Sequence, residues 1–204
     1  MRRAILSSLV LCLALFLFGC GQASNSVGPL KLTDREELLI SALSERSFVF
    51  EYDLDTGKYS WIMVWVEEYQ NGEKTESEDM NMSCGAESKG MLILTIPRSD
   101  GEVTMNAAVS QASALYTRSD LIPDMAESVK KSSCSWGEFP ATMIPESGKA
   151  PLAILRYNGA DGFTVLSDAF YRDYENNIDE ISDDDTVYII GCTFTDIAPD
   201  EERS

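Results

Sequence analysis

Tyr59-Ser60-Trp61-Ile62-Met63-Val64-Trp65-Val66-Glu67-Glu68-Tyr69 decides the fold class of this chain. At the strand period of two, Ile62, Val64 and Val66 fall on one face, and Trp61, Met63, Trp65, Glu67 and Tyr69 on the other. Both faces stay apolar through Val66, so the segment reads as a central strand. Asn71-Gly72 supplies a two-residue turn after it, and Lys74 to Met82 return polar and alternating, as a more exposed partner. Trp61, Trp65 and Tyr69 would form a flat aromatic surface suited to stacking a ligand such as a sugar. The commoner fate of such side chains is burial, here under the Leu38–Leu43 stretch or a second sheet.

Working outward, the same alternation recurs. Phe48, Phe50 and Tyr52 alternate with Val49 and Glu51. Asp55-Thr56-Gly57 marks a turn; read as the start of a calcium loop it fails, because loop position twelve is Val64 rather than Glu. Gly90 to Ile96 is a buried strand stopped by Pro97, and Val103 to Val109 pair with it across Asp100-Gly101. Residues 111–117 fit neither period. Ser132 to Phe139, Leu152 to Tyr157, Phe163 to Leu166 and Thr186 to Phe194 read as further strands, the last apolar on both faces. Pro140, Pro145 and Pro151 bracket a loop. Helical signals are fewer. Thr33 and Glu36 form a capping box ahead of Leu38, Leu39, Ala42 and Leu43, which predicts a short helix packed on the sheet. Pro123 to Lys131 and the stretch from Ser167 towards Ile181 suggest minor helical turns. About eight short strands with one convincing helix predict an antiparallel β-sandwich with peripheral helices, in a single domain over residues 33–198 ahead of a charged tail, 199–204.

The N-terminus has its own logic. Arg2 and Arg3 precede an uncharged run from Ala4 to Phe18, about 15 residues, where a membrane span needs about 20. A positive start and a short apolar run read as an export signal. The run ends Leu17-Phe18-Gly19-Cys20, which resembles the lipobox of bacterial lipoproteins, with a leucine three residues before the cysteine and a small residue just before it. The resemblance covers residues 1–20 and implies that 1–19 are removed and that Cys20 carries a diacylglycerol thioether. Phe18 departs from the small residue usual at its position. Residues 20–32, with Gly21, Ser24, Asn25, Ser26, Gly28 and Pro29, then read as a lipidated tether. Two acyl chains give stable anchoring where one is marginal.

Composition narrows the chemistry. The 204 residues hold 16 Lys and Arg against 34 Asp and Glu, a net charge of −18, or −20 once Arg2 and Arg3 leave with the signal. Such a chain is repelled by nucleic acid and by anionic lipid. There is no histidine, which removes the usual base of serine and cysteine hydrolases and the commonest zinc ligand. Behind Cys20 stand Cys84, Cys134 and Cys192, whose spacings match no metal motif. A Cys84–Cys134 bridge is the pairing to expect in an exported protein, with Cys192 packing as a small core residue. Asp179, Glu180, Asp183, Asp184 and Asp185 crowd seven positions. They suit either a solvated charge run or, less simply, a Ca²⁺ site, though no glycine-turned loop arranges the oxygens.

These readings converge on a membrane-anchored, extracytoplasmic lipoprotein with a non-catalytic binding or interaction domain. No cofactor or metal is implied. The expected partners are the membrane, through Cys20, and an envelope protein or glycan. Two alternatives stay open: a carboxylate-based enzyme acting on wall glycan, which needs two carboxyl groups roughly 5 to 10 Å apart across a cleft, and a Ca²⁺-dependent module built on 179–185.

Overall fold

The segment around Trp65 is β3, Trp61–Gln70, an interior strand of a two-sheet body. The computed structural model describes residues 25–70, 72–75, 81–97, 104–121, 133–158, 163, 165–181 and 185–199. Sheet A consists of β1 (Ser26–Pro29), β2 (Ser44–Asp53), β6 (Lys89–Pro97), β7 (Thr104–Gln111), β8 (Leu115–Leu121) and β10 (Thr142–Met143), in the order β10-β1-β2-β6-β7-β8. Sheet B runs β4-β3-β12-β11-β9, with β4 (Glu73–Lys74), β12 (Asp185–Thr195), β11 (Lys149–Asn158) and β9 (Ser133–Glu138), and β5 (Asn81–Gly85) also pairs with β3. The neighbouring strands are antiparallel throughout.

Period-two patterning explains the core. Phe50, Leu92, Leu94 and Met105 from sheet A meet Ile62, Val64, Leu152, Tyr188 and Phe194 from sheet B in one buried cluster. Removing such apolar surface from water contributes about 25 cal/mol per Å². β3 and β12, apolar on both faces in the sequence, are apolar because both sides are covered. Behind sheet B lies a second cluster, in which Val187, Ile189 and Ile154 pack under Phe139, Phe170, Tyr174 and Ile181. The cap over this cluster is α2 (Asp168–Arg172) and a 3-10 turn (Ile178–Glu180). Ser167 caps α2, as its position predicts, by accepting from the Ala169 and Phe170 N–H groups.

Several expectations change. β1 lies inside the stretch read as tether: Ser26–Pro29 pair with β2 on one side, and Ser26 and Val27 with β10 on the other. β8 lies across the unassigned 111–117 stretch; as an outer strand exposed along most of its length, it has little burial to imprint a period. Phe163 to Leu166 is not a strand where described: Val165 is exposed, and Leu166 turns into the cap cluster. Pro151 sits inside β11, at the register shift between Pro151 and Ala153, where a bulge tolerates its missing N–H. The Pro123–Lys131 helix falls outside the described residues, as does Cys20.

The Cys84–Cys134 bridge is also corrected. Both thiols are free, as is that of Cys192. Cys84 lies on β5 and Cys134 on β9, separated by β3, β12 and β11. Four interstrand steps of about 4.8 Å, with an offset along the strands from the level of Ile62 to that of Gln70, put them far beyond the ~7 Å Cα limit for a disulfide. Cys192 does pack in the main core.

The first helix, α1 (Asp34–Leu43), forms as its capping box predicts: Thr33 N–H donates to Glu36 Oε2 at 2.8 Å, and Glu36 N–H to Thr33 Oγ1 at 3.4 Å. Its packing is the reverse of the expected one. No residue of α1 is buried, and Leu38, Leu39 and Leu43 are 69, 57 and 80% exposed. The cause is the junction. Leu43 ends the helix and Ser44 opens β2 with no intervening loop, and Ser44 Oγ donates to Ile40 O at 2.8 Å. That junction fixes the helix rotation so that Glu37 and Ser41 border Ser47 and Val49 of β2.

Candidate functional site on the outer face of sheet B

The aromatic face read from the sequence exists but is not an open platform. Trp61, Trp65 and Tyr69 share the outer side of β3, yet Tyr69 is buried in the cap cluster and Trp65 is half-covered. Trp65 lies against the sheet because Gly191, its partner on β12, has no side chain; a Cβ there would meet a ring carbon at 2.2 Å. The indole N–H donates to Thr193 Oγ1 at 3.0 Å, and the Lys149 ammonium stands 4.9 Å from the ring centroid. Trp61 keeps partial exposure at the start of the strand.

Glu67, between Trp65 and Tyr69 on the same face, is the centre of this region. One carboxylate oxygen accepts from Lys74 Nζ at 2.7 Å and lies 3.0 Å from Lys149 Nζ. The other accepts from the Tyr69 hydroxyl at 3.1 Å and the Tyr174 hydroxyl at 2.9 Å. Lys149 Nζ also donates to Glu175 Oε1 at 2.5 Å and sits 5.5 Å from the Tyr174 ring centroid. Burial works against the Glu67 charge, but the bonds from Lys74, Lys149 and Tyr174 outweigh it and hold the carboxyl below its usual range. Burial and the Glu67 charge push the Tyr69 and Tyr174 phenols up. Lys149 is raised despite its burial, because Glu175 and Glu67 hold the ammonium form. With these groups held charged and mutually bonded, Glu67 is poorly placed as a proton acceptor and Lys149 as a nucleophile. The arrangement fastens the cap to the sheet, since Tyr174 and Glu175 follow α2 while Glu67 and Lys149 belong to β3 and β11.

Sequence spacing did not announce this cluster: Tyr174 reaches Glu67 across 107 positions. The acidic run at 179–185 disperses. Glu180 accepts from the Ser167 N–H and hydroxyl, at 2.8 and 2.5 Å. Asp185 turns inward to Arg156, whose Nη2 lies 2.5 Å and Nε 3.2 Å from one oxygen, while Asn158 donates to the other. Asp183 and Asp184 lie outside the described residues. Among the described residues, no group of three or more Cys, Asp or Glu is gathered as a metal would require.

The outer face of sheet A is different in kind. The pairing aligns Val49, Ile93, Ala108 and Thr117 in one row, with Thr95, Asn106 and Ser119 on one side of it and Met91, Ser110 and Leu115 on the other. From Met91 to Thr95, Asn106 to Ser110 and Leu115 to Ser119, the described outward-facing side chains are uncharged. An ion pair between Lys89 and Asp53, 3.2 Å apart, borders the area at one end.

The YgaN domain family model matches residues 26–194. No curated protein and no solved structure matches the chain.

Proposed function

We propose that this chain, which belongs to the YgaN domain family over residues 26–194, is a membrane-anchored, extracytoplasmic lipoprotein whose domain is a non-catalytic interaction module at the cell envelope. The anchor is Cys20. The observation that carries the interaction role is the uncharged stretch of sheet A's outer face, over Met91–Thr95, Asn106–Ser110 and Leu115–Ser119, in a chain of net charge −18. Like-charge repulsion keeps such an acidic surface apart from other acidic surfaces, and a neutral sheet face is where a protein or glycan partner meets the least electrostatic cost.

The carboxylate-enzyme reading has less support. Glu67 and Glu175 do come close, but they converge on the Lys149 ammonium instead of facing each other across a groove. The Ca²⁺ reading loses Asp185 to Arg156 and Glu180 to Ser167.

Two measurements test the proposal together. Fractionation of cells expressing the full chain is expected to place it with the membrane, and Cys20→Ala to release it; retention of the variant would end the anchor reading. A photo-crosslinking residue at Ala108 is expected to capture a partner in intact cells, while one at exposed Glu73, on sheet B, is not. Equal capture at both sites, or at neither, would remove the face from the proposal.

A further inference from the structure

The orientation of α1 carries a further inference, which rests on the Cys20 anchor. At about 100° per residue, Leu38, Leu39, Ala42 and Leu43 occupy one side of the helix within an arc of roughly 140°. Arg35 lies in the same arc. Glu37 and Ser41 lie on the opposite side, the side that borders β2. The helix is therefore amphipathic with its apolar stripe turned away from the body, the reverse of what a folded domain does to gain stability. Ile40, outside the stripe, is the partly covered residue of the helix, and the capping box and direct junction to β2 hold the leucines on the exposed side.

The length of chain ahead of the fold says what lies opposite this stripe. Cys20 is six residues before Ser26, where sheet A begins, a span of at most about 20 Å. β1 and a short connection then lead directly to α1. An acylated Cys20 thus keeps Ser26, beside Asp53, within about 20 Å of the bilayer, and α1 lies along the other half of β2, from beside Val49 to Ser44. Within the stripe the charged residue is Arg35, and Lys31 stands just before the helix. A leucine stripe with a cation in its midst suits the headgroup–acyl boundary, where an amphipathic helix lies flat with its apolar side buried.

We infer that α1 docks on the lipid surface as a second membrane contact, seating its three leucines in the interface and fixing the tilt of the domain on its anchor.

The test uses the full-length lipidated protein in phosphatidylcholine vesicles, in a Cys134→Ser background. An environment-sensitive fluorophore is placed at Leu39→Cys, and at Thr117→Cys as the control. The expected result is a blue shift at position 39, with quenching by brominated acyl chains about threefold or more above that at 117, as a site ~5–10 Å into the interface requires. Leu38→Ser/Leu43→Ser in the same protein is expected to remove the shift while leaving the protein on the vesicles. Vesicle-bound protein with no shift at 39 would overturn the inference and leave the anchor standing. Protein that fails to join the vesicles would instead overturn the anchor. A shift that appears without lipid and grows with protein concentration would show that a second copy covers the stripe, and would also overturn the lipid contact.

Discussion

Replacing Arg156 by Met should be among the most damaging single changes in this domain. Near the end of the β11–β12 ladder Asp185 lies opposite Asn158, two residues from Arg156, and the Arg156 and Asp185 side chains are 4 and 0% exposed. The guanidinium places two nitrogens on one Asp185 oxygen, and Asn158 supplies the other. Methionine fills much of the same volume but leaves a carboxylate in the interior with only the Asn158 amide among these bonds. Removing one partner of a buried pair costs about 3–5 kcal/mol, most of it the penalty on the stranded charge. With a urea m-value near 2 kcal/mol/M, the midpoint falls by about 1.5–2.5 M. The double variant Arg156→Met/Asp185→Leu removes the stranded charge and should recover most of the loss, leaving about 1 kcal/mol for the bond Asn158 no longer makes. Urea unfolding of the chain from Gln22 onward, followed by tryptophan fluorescence at pH 7, measures all three proteins. A single variant within 1 kcal/mol of the parent would refute the reasoning. So would a double variant no more stable than the single, because the cost would then come from lost packing and not from the uncompensated carboxylate.

Three further outcomes follow from the same structure. The folded Glu67 carboxyl titrates below its unfolded value, so its network contributes stability above about pH 4.3 and loses it as pH falls through the lowered value; Glu67→Gln should flatten the pH dependence of unfolding in that acid window, and an unchanged profile would show that the network is not formed in solution. Burial raises the Cys84 thiol to about 11 and also raises those of Cys134 and Cys192, so native alkylation followed by mass spectrometry should mark half-buried Cys134 first, and all three thiols only after unfolding without reductant. A mass two units low that maps to Cys84 and Cys134 would contradict the strand order. Gly191→Ala places a methyl against the Trp65 ring and the Ala150 carbonyl; it should cost about 1–3 kcal/mol by overpacking and shift the tryptophan emission, and a silent variant would mean that Trp65 does not lie on β12.

Sequence reasoning identified the strands that carry the core, because burial leaves a period. Ile62, Val64 and Val66 opposite Trp65 and Tyr69 announced a strand covered on both faces, and Thr186 to Phe194 announced another. The hydrogen bonds of a capping box depend on residues three apart, so α1 was legible to its first turn. Strands with little to bury were not legible: β8 is exposed along most of its length, and β1 is four residues held by its neighbours. The nature of the candidate region was equally hidden, since Glu67, Lys149 and Tyr174 come from three distant segments.

Local patterning, then, determined that this chain makes a two-sheet body of antiparallel strands, because side-chain alternation is written residue by residue. Tertiary structure alone decided which of two apolar surfaces is used. The aromatic face of β3 is closed by a cap whose Tyr174 and Glu175 bind Glu67 and Lys149, while the leucines of α1 are left outside because the junction at Ser44 fixes the rotation of the helix. Periodicity records that a face is apolar; only the path of the chain sets what that face meets.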